Sequence, residues 1–336
     1  MKKTAIQVLK FTAFLVLGLF LLNLAFRNIT FSELRAELKE ADYRWLILAL
    51  LISGVGTVSR ARRWVLLIRS LGYNPGLATT FHSTMSGYLA NMALPRMGEI
   101  TRCVMLSRRE KIPVDKLVGT VILERMVDLI SLFVIMIAVL IIGYDKIGSF
   151  FEDKVVGPLA TKIMSMTGSS LAFPLLVTGI IILSAFILYS LRNRIASSAI
   201  YVKIREFFKG VGQGFRSFGK LDNKWEFLFH SVFIWGCYIM MTWVVVFVIP
   251  STSHLTLFDG TVILVIGGFG MAAPVQSGLG AFHYMVSNGL LLIYNIPLEK
   301  GMAYALISHT SQMLFIAVLG TISLIILLAG IRKAGK

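Results

Sequence analysis

Glu124, Arg125 and Asp128 stand within five positions of one another inside the apolar segment Val114–Gly143. On a helix, Glu124 and Asp128 are four apart and share a face, and Arg125 is three from Asp128. Each charge at membrane depth costs roughly 2.5–3.5 kcal/mol at a helix centre. The pattern therefore reads in two ways. It is a buried ion pair that locks helices together, or a headgroup or proton site on a polar pathway. Two acids beside one base leave a carboxylate in need of a partner, which Arg96, Arg102 or Arg60 can supply.

Arg96, Glu99 and Arg102 follow Pro95 at spacings of three. Guanidinium groups suit two-pronged binding of phosphate; the plainer reading is ordinary loop charge. Further on, PVQSGLGAFHYM (Pro274–Met285) breaks an apolar segment. Gly278 and Gly280 let the backbone turn and expose amides, and His283 just beyond can bond a phosphate or titrate. Its plainer reading is a satisfied polar group near a helix start. His82 and His309 are lesser candidates, and His230 and His254 read as interfacial or loop residues. The break lacks G-x-x-x-x-G-K-[ST] and follows no strand, so it is no nucleotide loop. H-E-x-x-H, G-x-S-x-G and paired Cys/His metal spacings are absent from the sequence. This points away from an enzyme and from any metal or other cofactor.

The elements that carry these residues are membrane spans. Of 336 residues, 56% are hydrophobic and 15% charged, and mean hydropathy is +0.78. Soluble domains carry about 25% charged residues, so the chain reads as all-α and polytopic. The net charge of +16 would suit nucleic acid in a soluble protein. Here the cations gather in loops, as the positive-inside rule requires, and no nucleic-acid partner is expected. Cys103 and Cys237 are isolated and form no disulfide framework.

Six full spans are expected: about Ile6–Phe26 (uncleaved), Trp45–Ile68, Val114–Gly143, Leu171–Leu191, Lys224–Ile249 and Lys300–Gly330. Arg27–Arg44 reads as an amphipathic helix in the interface. Arg60, Arg62 and Arg63 at the end of the second span read as snorkelling to headgroups. Arg192–Lys224 is basic and aromatic, with eight cations among four Phe. Gly76–Pro95, with two Gly, five Ser/Thr hydroxyls, His82 and Asn91, and the broken Asp259–Tyr294 read as re-entrant hairpins from opposite faces. With both termini cytoplasmic, every loop then obeys the charge rule, Arg96–Lys116 being a cytoplasmic loop. Two broken segments of opposite orientation point to an inverted repeat with a central binding site, although no literal repeat is read in the residues. The expected domain is a single transmembrane unit, residues 1–336.

G-E-x-x-R at Gly98, Glu99 and Arg102, E-R-x-x-D at Glu124, Arg125 and Asp128, and G-L-G-A-F at Gly278–Phe282 resemble the flippase-like membrane family. This is the transmembrane region of lysylphosphatidylglycerol synthases, also found as stand-alone bacterial membrane proteins, and the resemblance covers essentially the whole chain. It implies a multi-pass inner-membrane protein that moves a lipid between leaflets. In two-domain members that lipid is an aminoacylated phosphatidylglycerol made by a soluble C-terminal synthase domain. The sequence stops at Lys336 without that domain, and His283 stands where many members carry an acid, so the lipid stays open.

The expectation is therefore a flippase or scramblase for a lipid with an anionic or aminoacylated headgroup. Arg96, Arg102 and Arg125 would attract phosphate. Glu99, Glu124 and Asp128 would orient them or meet a cationic moiety or proton, and Gly278, Gly280 and His283 would line the opposite side. The alternatives are a membrane partner or enzyme of polyprenyl-phosphate or glycolipid metabolism, and a non-catalytic scaffold. A homo-oligomer is compatible with the sequence.

Overall fold

The computed structural model describes residues 2–27, 29–94, 97–144, 157–167, 223–273 and 275–334, with short pieces between 169 and 182. The elements are α1 (Lys2–Phe26), α2 (Phe31–Glu40), α3 (Tyr43–Arg69), α4 (Leu77–Ala93), α5 (Met97–Glu110), α6 (Val114–Ile142), α7 (Gly157–Thr167), α8 (Lys224–Val245), α9 (Leu257–Ala272), α10 (Ala281–Tyr294) and α11 (Leu298–Ala334). No strand occurs among the described residues. The chain forms two compact units, Met1–Val139 with Leu221–Lys336, and Leu140–Lys220. In the second, α7 is the principal described element. The expected span Leu171–Leu191 and basic segment Arg192–Lys224 lie almost wholly outside the described residues.

In the larger unit α3, α6, α8 (continued to Val248) and α11 are long and apolar enough to cross a membrane. A fifth crossing arises if α1 and α2, bent by 90° at their junction, count as one. The protein is thus a multi-pass helical membrane protein. Local chemistry sets the helix ends. Asp42 caps α3 by accepting from the Arg44 amide at 3.1 Å and pairing with its guanidinium. Thr256 and Asp259 form a capping box at the start of α9.

Two helical hairpins lie between the long helices. In the first, α4 and α5 pack back to back, and their outer ends meet where Glu110 accepts from the Gly76 amide at 3.4 Å. Close approach at the inner end needs glycine. A Cβ on Gly98 would sit 2.6 Å from the Asn91 side chain, which itself accepts from the Gly98 amide at 2.7 Å. Residues 97–110 are therefore the helical second limb of a hairpin whose first limb is the single helix α4, where a hairpin within Gly76–Pro95 and a loop over Arg96–Lys116 are expected. The limb is helical because Gly98, Arg102, Cys103 and Leu106 bury one face.

The second hairpin is α9 and α10, joined through a turn at Gln276–Gly278. Its outer ends meet where Asp259 bonds Tyr294. The two hairpins open at opposite ends of the bundle. Glu110 lies beside Arg109, which donates to the Gly330 carbonyl at 2.5 Å near the end of α11. Tyr294 lies close in sequence to Lys300 at the start of α11, which pairs with Glu37 of α2 at 3.5 Å. The inner ends approach each other where the Ser277 hydroxyl lies 3.5 Å from the Asn91 carbonyl.

Candidate functional site

The charged residues singled out in the sequence converge. Arg60 of α3 bridges both carboxylates of α6, with Nε 2.8 Å from Glu124 and Nη2 2.5 Å from Asp128. Arg63, one turn on, reaches Asp128 at 2.6 Å and Glu124 at 3.4 Å. Arg102 of α5 meets the second oxygen of Glu124 at 3.0 Å. Arg125 turns the other way, to Glu99 of α5 at 2.8 Å, and lies 3.9 Å from Asp128. Tyr238 of α8 accepts from Arg60 at 2.7 Å, and Ser231 accepts from Arg63 at 3.3 Å. Tyr88 of α4 faces the same charges.

Packing fixes this geometry. Trp64 is fully buried, donates to Thr120 of α6 at 2.8 Å, and lies under the Arg102 guanidinium at 4.6 Å. Around it Ile68, Cys103, Leu106, Ile112, Leu117 and Val121 form an apolar cluster. The network therefore rests on a dry floor, where charge is strengthened when paired and costly when not.

One expectation is corrected here. Arg60 and Arg63 do not snorkel: both are buried, and only Arg62 lies outward, pairing with Glu226 at 2.7 Å. The partner that the carboxylates need is supplied, as expected, by Arg60 and Arg102, with Arg63 in addition. Arg60, Arg63, Arg102 and Arg125 face Glu99, Glu124 and Asp128, so four guanidinium groups stand against three carboxylates. Arg63, Tyr88, Ser231 and Tyr238 were not singled out as site residues. For Arg63 a signal existed: Arg60, Arg63, Trp64 and Leu67 fall on one helical face.

The network has a closed end and an open end. Glu124 and the Arg63 side chain are fully buried, whereas the side chains of Arg125 and Glu99 are 43% and 30% exposed. Arg63 Nε, Arg102 Nε and Glu99 Oε2 are buried and have no hydrogen-bond partner among the described residues. Arg96 lies outside the described residues.

The glycine-rich break stands apart from this cluster. Gly278 and Gly280 have φ of +74° and +76°, which glycine adopts at little cost. Their surroundings are protein. The Gly278 amide donates to the Val275 carbonyl within the turn, and a Cβ on Gly280 would come 2.5 Å from the Gly18 carbonyl of α1. His283 is buried beside His309 of α11, with ring centres 4.8 Å apart. His230, set aside in the sequence, is held at 2.7 Å by Ser59 of α3. Among the described residues no group of three His, Cys, Asp or Glu could hold a metal ion.

Residues 7–320 match the family described as the lysylphosphatidylglycerol synthase TM region. The chain belongs to that family. The match takes in both hairpins and the whole arginine–carboxylate network. A relative is the "UPF0104 membrane protein MJ1595" of Methanocaldococcus jannaschii, 23% identical over 351 residues, covering 98% of this chain and 99% of the other.

Proposed function

We propose that the protein moves a charged-headgroup lipid, a phospholipid or aminoacyl-phospholipid, between the leaflets of the bacterial cytoplasmic membrane. The observation that carries this reading is the open end of the network. A self-contained lock would balance its charges and bury them. Here, among the described residues, one guanidinium is in excess, and the Glu99–Arg125 pair is accessible. Such a pair offers a cation to a phosphate and a carboxylate to an amino group. The family's description, which names a synthase of an aminoacylated phospholipid, supports the same headgroup chemistry.

In this reading the two hairpins are re-entrant from opposite faces, and with Leu171–Leu191 the chain has about six full spans. Irregular backbone at membrane depth is tolerated where protein buries it or water wets it, so hairpin tips are suited to a headgroup path while acyl chains stay in lipid. The termini face the cytoplasm, with Arg108, Arg109 and the end of α11 at one end of the bundle, as positive-inside would place them. Membrane lipids are the partners, and the work is transport, not catalysis.

The test is reconstitution into liposomes with fluorescent lipids bearing anionic, zwitterionic and cationic headgroups, followed by dithionite quenching. Faster loss of protected signal for one class than in protein-free vesicles supports the reading. No movement of any class ends it.

One arrangement favours an enzyme instead. Ser59 Oγ lies 2.7 Å from His230 Nδ1, and Glu226 lies 3.8 Å from His230 Nε2, a serine–histidine–acid order. Against it, 3.8 Å is too long for a hydrogen bond, Ser59 is buried within α3, and Glu226 is engaged by Arg62. New products in lipid extracts incubated with the protein would favour this reading over transport.

A further inference from the structure

The two hairpins are related in their sequence as well as in their shape. The second limbs, α5 and α10, are both 14 residues long. Each is followed by a three-residue link whose first residue has φ of +54°, Lys111 in one and Asn295 in the other. The links continue as Ile112-Pro113-Val114-Asp115-Lys116 and Ile296-Pro297-Leu298-Glu299-Lys300. Ile112 and Ile296 are both buried, as are Leu106 and Leu290 six residues before them. A constant offset of 184 residues thus aligns the two links and the helices on either side of them. The hairpins open at opposite ends of the bundle, so the correspondence, which the residues were not expected to show, is inverted.

The same offset carries Glu99 onto His283 and Arg125 onto His309. Both pairs are 26 residues apart. In both, a residue at the third position of the second limb meets one at the twelfth position of the following long helix. The first half places a permanent ion pair there, and the second half places two imidazoles.

We propose that His283 and His309 form a site for a single proton, the inverted counterpart of the Glu99–Arg125 pair. His309 Nε2 lies 2.8 Å from the Ser277 carbonyl. A carbonyl only accepts, so that nitrogen carries the hydrogen and Nδ1 of the neutral ring is bare. His283 is 2% exposed, and its Nδ1 has no hydrogen-bond partner among the described residues. Each neutral ring thus offers one basic nitrogen, and both rings are buried within one contact of each other. A first proton charges the pair, and a second is opposed by the first at a ring separation of 4.8 Å.

Among the described residues the surroundings supply no counter-charge in contact with the two rings. On α9, Asp259 is held at the far end by Thr256 and Tyr294. On α11, Lys300 is paired with Glu37 of α2. On α4, His82 is bonded to Ser323, and Tyr88 faces the arginine network. Among the described residues the charge-bearing group acting on His283 is His309, and the Ser277 carbonyl acts on His309. A proton on the pair thus calls for water or an anionic group at the hairpin tips. This ties protonation to the arrival of a phosphate, a consequence that rests on the transport reading above.

The proton site itself is tested without transport. Protein with nitrogen-15 histidine in nanodiscs of anionic phospholipid would be titrated by NMR from about pH 8 to about pH 3. The two rings are recognised in the wild type by their mutual through-space contact. The proposal expects both to respond to one shared proton. In His283→Gln or His309→Gln the remaining ring should titrate alone at a displaced midpoint. It is overturned if both rings stay neutral throughout, or if each takes its own proton without regard to the other. Should a variant fail to fold, the wild-type count of one proton or two still decides. A protein that moves no lipid but shows the shared proton loses only the transport reading, and one that moves lipid with neutral rings loses only this site.

Discussion

Arg60 on α3 holds both carboxylates of α6 at once, Glu124 at 2.8 Å and Asp128 at 2.5 Å. One guanidinium thus sets the distance between two spans and the direction of two acids. The remaining arginines take up what it leaves: Arg63 shares both acids, Arg102 takes the far oxygen of Glu124, and Arg125 reaches outward to Glu99.

The closed end should behave as structure. Glu124→Gln leaves Arg60, Arg63 and Arg102 buried around a neutral amide, and breaking a buried pair costs about 3–5 kcal/mol. Thermal unfolding in detergent, followed by tryptophan fluorescence, should show a marked fall in Tm. Glu99→Gln at the exposed end should cost about 1 kcal/mol or less after solvent screening. Equal losses at the two positions would contradict the division.

Arg60→Lys tests the fork. An ammonium is a point charge and cannot span Glu124, Asp128 and Tyr238 together. Stability should fall by about 1.5–3 kcal/mol, the worth of a lost charged hydrogen bond. A double-mutant cycle with Tyr238→Phe should give coupling of about 0.5 kcal/mol or more. Additive effects would mean that the 2.7 Å contact contributes nothing.

Gly98→Ala tests the first hairpin. The added methyl would sit 2.6 Å from Asn91, and overpacking of this kind costs about 1–3 kcal/mol. Hydrogen exchange should speed up in residues 87–102 while the α8 backbone stays protected. A uniform change, or none, would show that the limbs do not depend on this contact.

Much of this was legible in the sequence because apolar length and helical spacing are local properties. The long helices announce themselves by composition, and the i,i+4 relation of Glu124 and Asp128 places both on one face. Arg63 was barely legible as a site residue. Three arginines at the end of an apolar run look like positive-inside charge, and the shared helical face of Arg60, Arg63, Trp64 and Leu67 is the one local sign that sets Arg62 apart. Met97–Glu110 looks polar, yet Glu99 and Arg102 serve partners on α6, so its place as a hairpin limb shows only once those partners are adjacent. The correspondence between the hairpins is hard to read because the paired positions differ in chemistry, Glu99 against His283 and Arg125 against His309, and only the link Ile-Pro with its following acid and lysine is alike.

The most direct test of the central claim compares wild type with Arg125→Gln in the liposome assay, using the lipid class the wild type moves. Loss of a hydrogen bond to a charged group is worth about 1.5–3 kcal/mol, so the rate should fall about tenfold or more. The exposed position of Arg125 should leave Tm nearly unchanged. A variant that folds as well as wild type and moves lipid at the full rate would contradict the account.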